Sequence, residues 1–97
     1  MRYVWDPAKD ALNQRKHGLS LADAIPALED PKRDISVDDR FDYEEERIVT
    51  TGRSGSKALV VVSTELMRDE EGEVDVRIIS VRKATWYEED WFNFGRA

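Results

Sequence analysis

The segment Val76-Arg77-Ile78-Ile79-Ser80-Val81-Arg82-Lys83-Ala84-Thr85 is β-branched and apolar up to Val81 and then turns cationic. Arginine and lysine at the exit of a strand suit a place where an anion is held. A guanidinium forks onto phosphate oxygens, and an ammonium adds a compact point charge. A second basic group, Lys16-His17, stands near the N-terminus and includes the single histidine of the chain. Histidine is the side chain best placed to give or take a proton near neutral pH. Arg47, at the start of another apolar run, is a third source of positive charge. Together these residues suit chemistry on an anionic substrate, with no metal and no cofactor.

Other chemistries lack their residues. The chain has no cysteine, which removes thiolate catalysis, disulfides and cysteine zinc sites together. One histidine and no helical pair at ligand spacing leave catalytic zinc without ligands. Ser80 and His17 are nominal members of a serine triad, but no nucleophile elbow surrounds any serine. Arg53-Ser54-Gly55-Ser56 lacks the spacing and the ending of a phosphate loop. The acidic run Asp38 to Glu46 has many oxygens but no glycine at which a calcium loop could turn, so it reads as a solvated connection. Arg15-Lys16-His17 also has a purely structural reading, because cations at the last turn of a helix complement its dipole.

The formal net charge is −6, which taken alone disfavours nucleic acid. The charge is segregated along the sequence, however. Residues 9–17 carry Lys9, Arg15 and Lys16 against Asp10, residues 47–57 carry Arg47, Arg53 and Lys57 with no acid, and residues 77–83 carry Arg77, Arg82 and Lys83 with no acid. The remainder is strongly acidic.

The elements that must position these groups are legible in order. Arg2-Tyr3-Val4-Trp5 is a short strand with Tyr3 and Trp5 on one face. Asp6-Pro7 starts a helix that runs to about His17, where Gly18 stops it. Ser20 and Asp23 open a second helix, whose stripe is Leu21, Ala24, Ile25 and Leu28; Pro26 should kink or divide it. Strands follow at Ile35 to Val37, at Arg47 to Thr51 with Gly52 as its stop, at Lys57 to Leu66, and at Val74 to about Val81. Strict alternation places Arg77 and Arg82 on opposite faces of the last strand, unless a bulge intervenes. Thr85 and Glu88 form a capping box for a final helix whose aromatic stripe, Tyr87, Trp91 and Phe94, is expected to pack in the core. A partner-binding face is the rival reading of that stripe.

Consecutive hairpins in this order predict one α+β domain over residues 1–97. Its small, mostly antiparallel sheet would carry helices on one face, two of them N-terminal and one C-terminal. No apolar run approaches a membrane span, and Met1 to Trp5 leads at once into Asp6-Pro7 without a leader pattern, so the expected location is the cytoplasm with no membrane contact.

Metal-free cleavage of RNA by its own 2′-hydroxyl suits such a residue set. It requires in-line positioning of the 2′-oxygen, donors for the charge on the phosphorane, and a proton for the leaving 5′-oxygen. The pattern Trp5-Asp6-Pro7, Lys9, Asn13, Lys16-His17-Gly18 and Asp30-Pro31 resembles the BrnT toxins of type II toxin–antitoxin systems. So do Glu46-Arg47 leading to Gly52, the valine-rich strand, and Arg77 through Thr85, over about residues 3 to 90. The resemblance implies a RelE/ParE-like fold and a metal-independent, ribosome-independent endoribonuclease that cuts mRNA and arrests growth. It implies a BrnA-like ribbon-helix-helix antitoxin as partner, with operator DNA bound only through that antitoxin. Its basic positions fall here on Lys16, His17, Arg47, Arg77, Arg82 and Lys83. On that basis His17, Arg82 and Lys83 are expected to be catalytic, and Lys16, Arg47, Arg77 and Ser80 to bind RNA phosphate. Val81 and Trp86 depart from the pattern of the family, which usually has alanine at the first position and a polar or basic residue at the second. Trp86 suits stacking on a base or packing equally well. Two further readings belong to the wider superfamily: gyrase inhibition by protein contact, and an inactive toxin kept as co-repressor.

Overall fold

The computed structural model describes residues 1–38, 46–67 and 72–95. The acidic connection expected before Arg47 and the polar loop expected after Leu66 lie largely outside these residues. No helix among the described residues is long and apolar enough to cross a membrane.

The local signals act as their chemistry requires. Helix α1 (Pro7–His17) starts where the Ala8 N–H donates to the Asp6 carboxylate at 2.8 Å, and ends at Gly18, whose N–H still donates to the Gln14 carbonyl while its φ of 70° turns the chain out of the helix. The Ser20 N–H donates to the Asp23 carboxylate at 2.9 Å and opens a 3₁₀ turn, Leu21–Ala24. Pro26 divides the second helix as expected. The 3₁₀ turn precedes it, and α2 (Ile25–Leu28) carries the proline in its first turn, where a missing N–H costs nothing.

Strand β1 (Arg2–Val4) lies at one edge of the sheet and β2 (Asp34–Asp38) at the other. Between them run β3 (Arg47–Ser54), β4 (Lys57–Met67) and β5 (Val74–Lys83), in the spatial order β1-β5-β4-β3-β2. The N-terminal helices carry the chain across one face from the first edge to the second. The strands then return as antiparallel hairpins until β5 reaches β1. There the pairing is parallel, with Tyr3 opposite Val76. The sheet is therefore mixed, not the mostly antiparallel one expected. Hairpin signals report only neighbours in sequence, and β1 has no hairpin partner. Its place is fixed from more than seventy residues away (Arg2 meets Asp75 in a two-pronged ion pair at 2.7 and 3.2 Å).

The helices bury the face of the sheet that carries Leu59, Val61, Ile78 and Val81, and they contribute Leu21, Ala24 and Ala27 to the same core. Each fully buried Leu or Ile is worth about 1.5–3 kcal/mol. Gly52 does not stop β3, which continues to Ser54. It lies beneath α2, where a β-carbon would run into the Ala27 carbonyl. Its use is close approach.

The last helix departs from expectation. α3 (Trp86–Asp90) starts at the Thr85–Glu88 capping box, then widens into a π-helical turn over Trp91–Gly95. Its acids meet Arg53 and Arg82, which project from the face opposite Leu59 and Val61, so this segment does not share a face with α1 and α2. The expected burial of Tyr87, Trp91 and Phe94 does not occur. They are 70, 45 and 77% exposed, and Phe92 is buried instead. The cause is the surface beneath: two arginines draw the carboxylates of Glu88 and Glu89 over them, Asn93 accepts from Arg53, and the aromatic stripe turns out.

A groove between the first helix and the last strand

Strand β5 contains the bulge that alternation left open. Val62 pairs with Ser80, but the next residue, Ser63, pairs with Ile78, so Ile79 has no partner on β4. An inserted residue reverses the sidedness of all that follows. Arg77 pairs with Thr64 and Arg82 with Val60, four residues apart on β4, and directly paired side chains share a face. Arg77, Ser80 and Arg82 therefore share the face opposite the core, while Val76, Ile78 and Val81 share the core face. The opposite placement of the two arginines is corrected, and the cause is Ile79.

Beyond the end of β1, the free edge of β5 is taken up by α1. Asn13 is 4% exposed and acts as the clamp. Its amide nitrogen donates to the Val81 carbonyl at 2.9 Å and to the Leu19 carbonyl at 2.8 Å, and its oxygen accepts from the Val81 N–H at 3.0 Å. One side chain thus replaces a neighbouring strand at Val81 and closes the turn after the helix. Asp10, the acid in this basic stretch, is engaged as well, accepting from the Leu21 N–H at 2.8 Å and from the Gln14 amide at 3.2 Å.

Docked in this way, α1 and β5 enclose a groove of about 370 Å³ lined by Lys9, Leu12, Lys16, His17, Ile79 and Ser80. A smaller cavity of about 170 Å³ adjoins it, shares Lys9 and Ile79, and reaches Arg77 and Asp6. The side chains of Lys9, Lys16 and His17 make no hydrogen bond or ion pair among the described residues, so they are available to a ligand. Another cavity, of about 100 Å³, lies among Tyr3, Leu28, Ile35, Ile48 and Val76, away from these groups.

The structure thus gathers Lys16, His17 and Ser80 into one groove, with Arg77 next to it. It does not gather Arg82 or Lys83 there. Arg82 holds Glu88 through Nη1 to Oε1 at 2.7 Å and Nη2 to Oε2 at 2.9 Å, and its guanidinium holds the Glu88 carboxyl at a pKa of about 2, well below the usual range. Lys83 is exposed at the strand exit. Arg47 begins β3 opposite Asp38, one residue before the Ile48–Ser63 pair that opens the β3–β4 register. It belongs to the face opposite the core, with its Nε buried, and does not line the groove.

Residue type alone does not single out Lys9 and Asn13 for a site, yet Lys9 lines both cavities and Asn13 sets the wall between helix and strand. Their signal is positional. Lys9, Asn13 and Lys16 fall at i, i+4 and i+7, one side of a helix. Among the described residues, no group of three His, Asp or Glu converges as a metal site would require.

Residues 5–88 match the family model described as the ribonuclease toxin BrnT of type II toxin–antitoxin systems. No curated protein matches the chain.

Proposed function

This chain belongs to the BrnT family of ribonuclease toxins of type II toxin–antitoxin systems, and we propose that it cuts mRNA, as a metal-independent endoribonuclease, in the groove between α1 and β5. The observation that carries the proposal is the convergence of Lys16, His17 and Ser80 on one cavity, with Lys9 and Arg77 at its continuation.

In the reaction, the RNA 2′-oxygen attacks the adjacent phosphorus and gives up its proton, and the 5′-oxygen leaves with a proton. The products are a cyclic phosphate and a 5′-hydroxyl. His17 is the acid–base group, since its ring lines the groove beside Ser80. Lys16 and Arg77 hold phosphate oxygens and offset the charge that builds on the phosphorane. Ser80 donates a hydrogen bond to a non-bridging oxygen. Arg82 and Lys83 act from the neighbouring strand exit. Arg82 can reach phosphate by exchanging the Glu88 carboxylate for it, since both present two oxygens to one guanidinium. Arg47 supplies a second phosphate contact from the face of the sheet opposite the core.

The chain works with an antitoxin partner and acts on RNA, as its family does. The finer reading is a single RelE/ParE-like domain over residues 1–97, located in the cytoplasm. A BrnA-like ribbon-helix-helix antitoxin neutralises it and brings it to operator DNA. Support for that fold comes from the order of elements, with two helices laid over the sheet and a third following β5.

The test is cleavage of RNA by purified, antitoxin-free protein in excess EDTA, with His17→Ala and Arg82→Ala alongside. Cuts with the unmutated protein that fall by about 10²–10⁴ in rate without His17 support the reading. No cuts from a folded protein would favour action by protein binding, for which the Arg82–Glu88 pair gives a reason: a key cation is already neutralised.

A further inference from the structure

Resting on the reading of the groove as an RNA site, we propose that Lys9 is a phosphate-binding residue that extends the site to a second, adjacent phosphate, so that the substrate is a single strand gripped on two consecutive linkages. Lys9 is the residue common to the two adjoining cavities. On one side it faces the place of Lys16, His17 and Ser80, and on the other that of Arg77. From Lys9 to Lys16 is seven residues, about 10 Å along the helix axis. Between them on the same side stands Leu12, 42% exposed although apolar. The stripe Lys9-Leu12-Lys16 is thus cation, apolar contact, cation. That sequence of chemistry matches phosphate, sugar or base, phosphate along one strand.

A duplex does not suit this arrangement. Double-stranded RNA is held by shape across its wide minor groove, whereas an unpaired strand can lay its backbone into a narrow channel and turn a base onto an apolar wall. Asp6 lies at the Arg77 end and opposes an anion there. Its carboxylate is already engaged as the cap for the Ala8 N–H.

The test is the salt dependence of binding to a short labelled RNA whose 2′-hydroxyls are methylated so that it cannot be cut, measured by fluorescence anisotropy. For single strands the slope of log K against log salt falls by about 0.7 for each phosphate that is no longer neutralised. Lys9→Gln and Lys16→Gln should each lower it by about 0.7, and the double variant by about 1.4, with unchanged circular dichroism. The same RNA annealed to its complement should bind more weakly than the single strand. An unchanged slope in Lys9→Gln, with a lowered slope in Lys16→Gln, would overturn the role of Lys9 while leaving the groove as the site. An equal decrease in the double and single variants would overturn the two-phosphate geometry, because both lysines would then share one phosphate. A folded, unmutated protein that does not bind RNA would overturn the functional reading itself.

Discussion

Arg82 lies against the carboxylate of Glu88 with both prongs engaged, at 2.7 and 2.9 Å, and Glu88 at the same time caps α3 by accepting from the Thr85 N–H at 2.8 Å. One carboxylate therefore ties the start of the last helix to the cationic exit of β5. Glu88→Gln should loosen that tie at a cost below about 1 kcal/mol, since the pair is part-exposed and screened by water. The same change should tighten RNA binding if Arg82 contacts phosphate, and the gain should vanish in the Glu88→Gln, Arg82→Ala double variant. Anisotropy titrations of the three variants check this.

The tie should depend on pH in a set direction. Glu88 has its carboxyl pKa lowered to about 2, by the hydrogen bonds from Arg82 above all. A lowered folded-state value means that the contribution is complete above the unfolded glutamate range and is lost as pH falls towards about 2. Carbon-detected NMR titration should place the Glu88 midpoint at about 2, and Arg82→Ala should return it towards the ordinary glutamate value. An ordinary glutamate midpoint in the unmutated protein would contradict the pairing.

Asn13→Ala should be severe. It leaves the Val81 N–H, the Val81 carbonyl and the Leu19 carbonyl without their partner, and a buried group left unpaired costs about 1–3 kcal/mol. Urea unfolding should show a loss of at least that size. Asn13→Asp should not rescue it, because a carboxylate can accept from Val81 but cannot donate to either carbonyl.

Gly52→Ala should cost about 1–3 kcal/mol through overpacking, because the added methyl meets the Ala27 carbonyl and α2 must shift. Hydrogen exchange should show α2 protection falling before that of β4. Gly55→Ala, at φ 64° in the open turn between β3 and β4, tests a different cost: backbone strain with no steric contact.

Trp86 and Trp91 should both be reached by an aqueous quencher, at 79 and 45% exposure. Quenching restricted to one of the chain's three tryptophans would contradict the outward stripe.

Much of this was legible from the residues. Asp6-Pro7, Gly18, Ser20 with Asp23, and Thr85 with Glu88 each name a helix end by local hydrogen-bond chemistry, and each acts as read. What was not legible depends on partners remote in sequence. The pairing of Tyr3 with Val76 has no local sign, and one unpaired residue, Ile79, reassigns the faces of Arg77 and Arg82. The aromatic stripe misled because periodicity reports that one side of a helix is apolar and not what lies under it. Lys16 and His17 could be named from sequence, but their convergence with Ser80 required the Asn13 clamp.

The docking of α1 against β5 has a consequence for synthesis. One wall of the groove comes from residues 9–17 and the other from residues 77–80, and Asn13 has no strand to hold until Val81 exists. Translation proceeds from the N-terminus, and an early segment must wait for its distant partner. A ribosome must therefore pass Val81 before the cationic groove can form. The groove is therefore among the parts of the fold that close late, because both of its walls must exist first.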